Sequence, residues 1–207
     1  MSVRRDQVAE QRQRPAHNPV VVLTEPEREE YEQKLDAYEV MLAEYRSRSE
    51  EYDAQLEAAH HDGLTGAWLR HGGRQLLEEE LRRADRHGTP LSIAFTDVDG
   101  LKARNDQFGH AAGDQALITV ARALLVGLRG YDHVIRWGGD EFLCVLPGLT
   151  QDEAVRRMEQ VRGFLAAGDP RLSISVGIAE RETGEGLDAL VTAADRALYS
   201  ARGRQLP

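Results

Sequence analysis

The chain has one cysteine in 207 residues, Cys144, and so no internal disulfide. That cysteine stands in an apolar run and reads as a small core side chain. Long apolar runs are also missing: the longest falls far short of the roughly 20 residues that cross a bilayer. The opening Met-Ser-Val-Arg-Arg-Asp lacks the apolar centre of a secretory signal. These absences predict a protein of the reducing cytoplasm with no membrane partner. Positive charge is scarce as well. The formal net charge is −9, which argues against broad binding to nucleic acid backbone. Eleven acids against four bases in residues 26–60 put −7 there, residues 1–25 carry +1, and residues 61–207 keep −3. The acidity therefore says little about a ligand of the C-terminal part.

What is present divides the chain in three. Residues 1–25 are rich in Arg, Gln and Pro without apolar period and read as a flexible arm, with a possible short strand at 20–23. Across 26–60, Tyr31, Leu35, Tyr38, Leu42, Tyr45, Ser49, Tyr52, Leu56 and Ala59 step alternately by four and three. This is a heptad with Tyr at most d positions and Leu at most a positions. A lone helix would expose the stripe, so the spacing predicts a parallel coiled coil that makes a homodimer. Bulky Tyr and the weak Ser49 predict a seam adjustable in register.

Residues 61–207 read as one domain. His60-His-Asp-Gly-Leu-Thr-Gly66 breaks the helix. Helices are predicted at 71–87, 101–107, 114–128, 151–166 and 187–202, and strands at 91–97, 133–137, 141–146 and 171–180. That order gives an α/β (α+β) sandwich with a mostly antiparallel central sheet covered by helices.

The most informative stretch is Arg136-Trp-Gly-Gly-Asp-Glu-Phe142, read as a hairpin tip. Gly138-Gly139 is a two-residue turn signal because both positions tolerate positive φ. So bare a tip lets backbone approach a bulky charged ligand, and the acids beside it are able to hold a metal. Asp97 closes a fully apolar strand, where a carboxylate is expensive without a partner. In the proposed topology Asp97 and Asp140 face one ion site, which suits Mg²⁺ with waters and substrate phosphates completing its shell. Asp99 reads as the cap of the next helix. Asn105 and Asp114 match the donors and acceptors of a purine edge, guanine above adenine. Taken singly, Asn105 is equally a turn residue, Asp114 a cap of the 114–128 helix, and His110 a structural side chain.

Together, Asp97-Val-Asp-x-x-Lys-x-x-Asn-Asp-x-x-Gly-His-x-x-Gly-Asp114 and Gly138-Gly-Asp-Glu-Phe142 resemble the GGDEF family of diguanylate cyclases. Leu64-Thr-Gly66, Ser173-Ile-Ser-Val-Gly177 and Ala194-Asp-x-Ala-Leu-Tyr199 extend the resemblance over about 61–203. It implies a palm-like nucleotide cyclase fold. It implies condensation of two GTP into cyclic di-GMP and two pyrophosphates, between two domains that meet face to face. By resemblance, Asp97, the Val98 carbonyl and Asp140 hold two Mg²⁺ or Mn²⁺ per active site, and Asn105 and Asp114 read guanine. Gly138 and Gly139 pack on the nucleotide; Leu101, Lys102 and Arg202 lie at the substrate's phosphates; Glu141 assists loss of the ribose 3′-hydroxyl proton. Arg129-Gly-Tyr-Asp132, with Arg156, is then an inhibitory site for the product. The ending Arg202-Gly-Arg204 is shorter than the family's and lacks its lysine, and Leu69 stands for its usual asparagine. That departure leaves a second reading, a catalytically weak domain that binds GTP or cyclic di-GMP and signals without synthesis.

Overall fold

A computed structural model describes residues 24–203, the side chains of 53–59 and 203 excepted. The strand considered at 20–23, the rest of the N-terminal arm, the seam side chains Leu56 and Ala59, and Arg204 lie outside the described residues. The chain divides into two compact units between Glu51 and Tyr52, within helix α1 (Glu25–His60).

Residues 25–51 of the first unit are helical. Glu27 accepts hydrogen bonds from the Thr24 N–H and hydroxyl at 2.8 and 2.7 Å, which closes the first turn of α1. Lys34 pairs with Glu30 one turn earlier at 2.6 Å, and the pair is exposed. The seam residues Tyr31, Leu35, Tyr38, Leu42 and Tyr45 are all exposed, from 41% for Leu42 to 74% for Tyr45.

The second unit is an α+β sandwich around a five-stranded mixed sheet. Its strands are β1 (Trp68–Leu69), β2 (Leu91–Val98), β3 (His133–Arg136), β4 (Glu141–Pro147) and β5 (Ile174–Glu180). They run in the order β1-β3-β4-β2-β5; β1 pairs with β3 in parallel, and every other pairing is antiparallel. All eight residues of β2 are buried, because the strand is central and covered on both faces. Side chains alternate across it. Ala94 and Val98 join the core under α4 (His110–Gly127) and α5 (Gln151–Gly168), beside the short α3 (Leu101–Phe108). Leu91, Ile93 and Phe95 join the core under α2 (Arg70–His87) and α6 (Leu187–Gly203). Asp97 continues the second set, so it points to the α6 side of the sheet.

Several local expectations give way to neighbours. Asp99 does not cap α3; Gly100 does, at φ 71°, and Asp99 instead accepts from Ser173 and Ser175 hydroxyls at 2.6 Å each. Asp114 does not cap α4, which starts at His110 with Gly109 as its cap, so Asp114 lies within the second turn. Neither Gly138 nor Gly139 has positive φ. Arg136 pairs with Phe142 and the Trp137 N–H donates to the Glu141 carbonyl at 2.8 Å, so the tip is wider than a two-residue turn. β5 begins at Ile174 rather than 171, and β1 is too short for periodicity to reveal.

Gly177 on β5 sets how α6 lies on the sheet. A Cβ there would overlap the α6 backbone at Ala194 and Leu198. Backbone cannot swing aside as a side chain does, so Gly177→Val forces α6 outward. We expect a loss of about 1–3 kcal/mol in urea unfolding, with an unchanged m-value. Unaltered stability would show that the helix does not depend on this close approach.

Candidate active site

The site forms where β2 ends against the β3–β4 tip. Register places Asp97 opposite Glu141, on one face of the sheet. The Val98 N–H donates to the Asp140 carbonyl at 3.1 Å, which fastens the tip to the strand end. Asp97 is only 5% exposed, and Arg202 from the last turn of α6 forms an ion pair with it. Burial raises the Glu141 carboxyl above the ordinary glutamate range, Asp140 and Asp195 raise it further, and Arg70 opposes them. Gly138 matters here by its missing side chain: a Cβ would come within 2.6 Å of the Glu141 Oε2. Nothing lies within 4 Å of a Cβ at Gly139, so that face of the tip is open.

Leu101 and Lys102 follow directly on α3. Leu101 is half-buried and packs on the α4 side of the core, while Lys102 is exposed. Asn105 and Asp114 come together across the α3–α4 packing. The Asn105 amide lies over Gly113, where any Cβ would overlap it, and Asp114 is the next residue, exposed. The Asn105 Oδ1 is buried and has no hydrogen-bond partner within the protein. A buried acceptor left unpaired is costly, and an N–H donor from a ligand would relieve it.

Arg129 and Asp132 form a closed turn before β3. Asp132 Oδ2 accepts from the Arg129 N–H at 2.8 Å, and its buried Oδ1 has no partner within the protein. Burial raises the Asp132 carboxyl; Arg129, Arg157 and His133 oppose the rise. The Arg129 guanidinium turns to Tyr131, donating to its hydroxyl at 2.7 Å. Arg156 is exposed on α5 and, like Arg129, acts on Glu153. The four residues of β3 separate this turn from the tip by roughly 13 Å.

The match to a family model described as "Diguanylate cyclase, GGDEF domain" runs over residues 59–205, most of the chain. The chain belongs to the GGDEF domain family. Among curated relatives, the diguanylate cyclase DgcM of Escherichia coli is 37% identical over 155 residues. The diguanylate cyclase DgcP of Pseudomonas aeruginosa is 35% identical over 192 residues. These alignments cover 72% and 85% of this chain but only 38% and 28% of those proteins. Among solved structures, the diguanylate cyclase SiaD of Pseudomonas aeruginosa, in complex with its activator SiaC, is 35% identical. Its TM-score is 0.69, with 86% of this chain and 73% of that one covered. The coiled coil and GGDEF domain of DgcB from Caulobacter crescentus, in complex with c-di-GMP, is 26% identical. Its TM-score is 0.74, with 83% and 95% covered.

Diguanylate cyclases of this family use divalent metal ions, and the GGDEF tip fits such an ion in a particular way. Among the described residues no three His, Cys, Asp or Glu side chains converge as a complete protein cage. The strand-end Asp97 and the tip acids instead offer few hard ligands, the pattern of Mg²⁺ sites that rely on substrate phosphates. A carboxylate as buried as Asp97 requires a cation, and Arg202 already supplies a positive charge there. Among the described residues no helix of the GGDEF domain or of α1 is long and apolar enough to cross a membrane.

The GGDEF tip has a brace that motif spacing did not reveal. Arg136 donates to Asp62 at 2.7 Å and to the Gly139 carbonyl at 2.8 Å, linking the loop after α1 to the tip. Asp62 also accepts from the Thr65 N–H and hydroxyl at 3.0 and 2.6 Å. Burial tends to raise the Asp62 carboxyl, but the bonds from Thr65 and Arg136 outweigh it and hold the group below the usual aspartate range. Its contribution to stability is therefore present above pH ~4 and is lost as pH falls through the lowered value. We expect Asp62→Asn to flatten that acid limb. We expect Arg136→Ala to cost about 1–2 kcal/mol, since it leaves a half-buried carboxylate with its Thr65 bonds but without its cationic partner. Equal acid-induced melting of the native protein and Asp62→Asn would remove the brace from the account. Arg70 lies 4.6 Å above the Trp137 ring, which ties the start of α2 to the tip as well. The clue to the brace was Arg136 itself, a charge two residues before the glycines with no evident partner in sequence.

Proposed function

We propose that the chain is a diguanylate cyclase that joins two GTP into cyclic di-GMP with release of two pyrophosphates. The observation that carries this reading is the pairing of Asp97 with Glu141 beside Asp140 at one open sheet end. Asp97, the Val98 carbonyl and Asp140 would hold Mg²⁺ or Mn²⁺, two per site. When bound, these ions offset the charge of the triphosphate and of the attacking and leaving oxygens. Asn105 and Asp114 take the guanine edge; the unpaired Asn105 Oδ1 supports that role. Lys102, the backbone at Leu101 and Arg202 hold phosphates, and Gly138 and Gly139 let the nucleotide lie against the tip. Glu141 accepts the proton of the 3′-hydroxyl as the oxygen attacks the α-phosphorus of the other GTP. Its raised affinity for a proton suits a base, since burial and Asp140 both favour the protonated form it reaches.

One domain presents one GTP, so two must meet. The exposed heptad seam of α1 supports a homodimer through a parallel coiled coil over 26–60, leaving 61–207 as the catalytic domain. Arg129 and Asp132 form an inhibitory product site, with Arg156 nearby, and the unpaired Asp132 Oδ1 is suited to a guanine N–H. Incubation of the purified chain with GTP and Mg²⁺ tests the reading. Cyclic di-GMP and pyrophosphate should appear at 1:2, the rate slowing as product accumulates in the native protein but not in Arg129→Ala. Tight GTP binding with no pyrophosphate from an intact dimer would instead mark a binding module.

A further inference from the structure

Asp97 lies near the end of a strand whose eight residues are all buried, and is itself 5% exposed. A negative charge there needs a partner at all times. Arg202 is that partner in this structure. Its side chain is 44% exposed and rises from the last turn of α6, so it is free to swing on its long stem. Asp195 stands two helical turns earlier on the same flank of α6 and acts on Glu141. The guanidinium therefore sits at the edge of an acidic cluster, in contact with a carboxylate that a divalent cation also seeks. Two cations cannot neutralise one small carboxylate without repelling each other. A guanidinium also matches phosphate oxygens with its planar donors. Triphosphate thus offers Arg202 an equivalent partner at the moment it brings its own cation.

We propose that Arg202 is a positioning residue that holds Asp97 until a nucleoside triphosphate draws its guanidinium away. Cation and nucleotide then enter together, and the cation alone binds weakly. The inference rests on the cyclase reading of Asp97 as a metal ligand. It makes Arg202 an antagonist of the bare metal and an ally of the metal–nucleotide complex, a sign change that a merely structural arginine would not produce.

The test is binding of Mn²⁺ alone to the full chain, with free Mn²⁺ read by electron paramagnetic resonance, followed by the same titration with a non-reactive α,β-methylene analogue of GTP. Arg202→Gln should bind Mn²⁺ alone about tenfold more tightly than the native protein, a typical size for coupling between two sites. Arg202→Lys, which keeps the charge, should stay near native. With the analogue present, Arg202→Gln should lose its advantage. Asp97→Asn/Arg202→Gln removes both charges, leaves no buried ion unpaired, and should abolish the gain. If Arg202→Gln binds Mn²⁺ no more tightly than native, while Asp97→Asn weakens binding, the latch is wrong and the metal role of Asp97 survives. If the gain persists in the double variant, the cation sits elsewhere, and the assignment of Asp97 falls along with the latch.

Discussion

Asp140→Ala is expected to lower pyrophosphate release from GTP by about 10³-fold or more, while urea unfolding shifts by no more than about 0.5 kcal/mol. The two halves of this result have separate causes. The backbone carbonyl of Asp140, not its side chain, accepts from Val98, so the tip stays fastened to β2 after truncation. The side chain does not stabilise its neighbour either: its charge helps to raise Glu141, and removing it relieves that repulsion. On the proposed reading, what disappears is one of the few hard ligands at the strand end, in a site that Asp97 would not complete alone. Turnover within tenfold of native would show that Asp140 is not needed to hold the cation. A collapse in stability would show that its role is in the fold.

Disrupting the seam of α1 should have a comparable effect without touching the site. Tyr38→Lys together with Tyr45→Lys places like charges at adjacent d positions, where the native side chains are 59% and 74% exposed on the single helix. Exposed positions carry little of the monomer's own stability, so each domain should remain folded. Sedimentation should show monomer at micromolar concentration. The rate per molecule at low concentration should fall by about 10²-fold, a typical loss of effective concentration, and should rise with enzyme concentration. Fusion of an independent parallel coiled coil in the same heptad register should restore it. A rate per molecule that ignores both the variant and the dilution would mean that the half-sites meet by another route.

Much of the fold could be read from the chain because its cues are local. The buried run ending at Asp97, the helix-ending Gly88 and the apolar run from Phe142 to Leu146 each come from neighbours within a few positions. The resemblance in the spacing from Asp97 to Asp114 and in Gly138-Gly-Asp-Glu-Phe142 worked for the same reason. Expectations failed where a distant residue competed. Asp99 prefers the hydroxyls of Ser173, just before β5, and Ser175, within it, to the start of α3, and these are 74 and 76 positions away. The Gly138-Gly139 tip was expected to be a two-residue turn. Register between β3 and β4, together with the Arg136 bond to Gly139, holds it wider and without positive φ.

The sequence by itself determined the order of the helices and of the four longer strands, the tyrosine seam and the family, since periodicity and motif spacing act over short stretches of backbone. Tertiary structure alone decided that Asp97 shares a face with Glu141, that Arg202 neutralises it, and that Asp62 and Arg136 brace the tip. These pairings join residues far apart in the chain. They depend on strand register and on how closely α6 meets Gly177, geometry that exists only once the sheet has assembled.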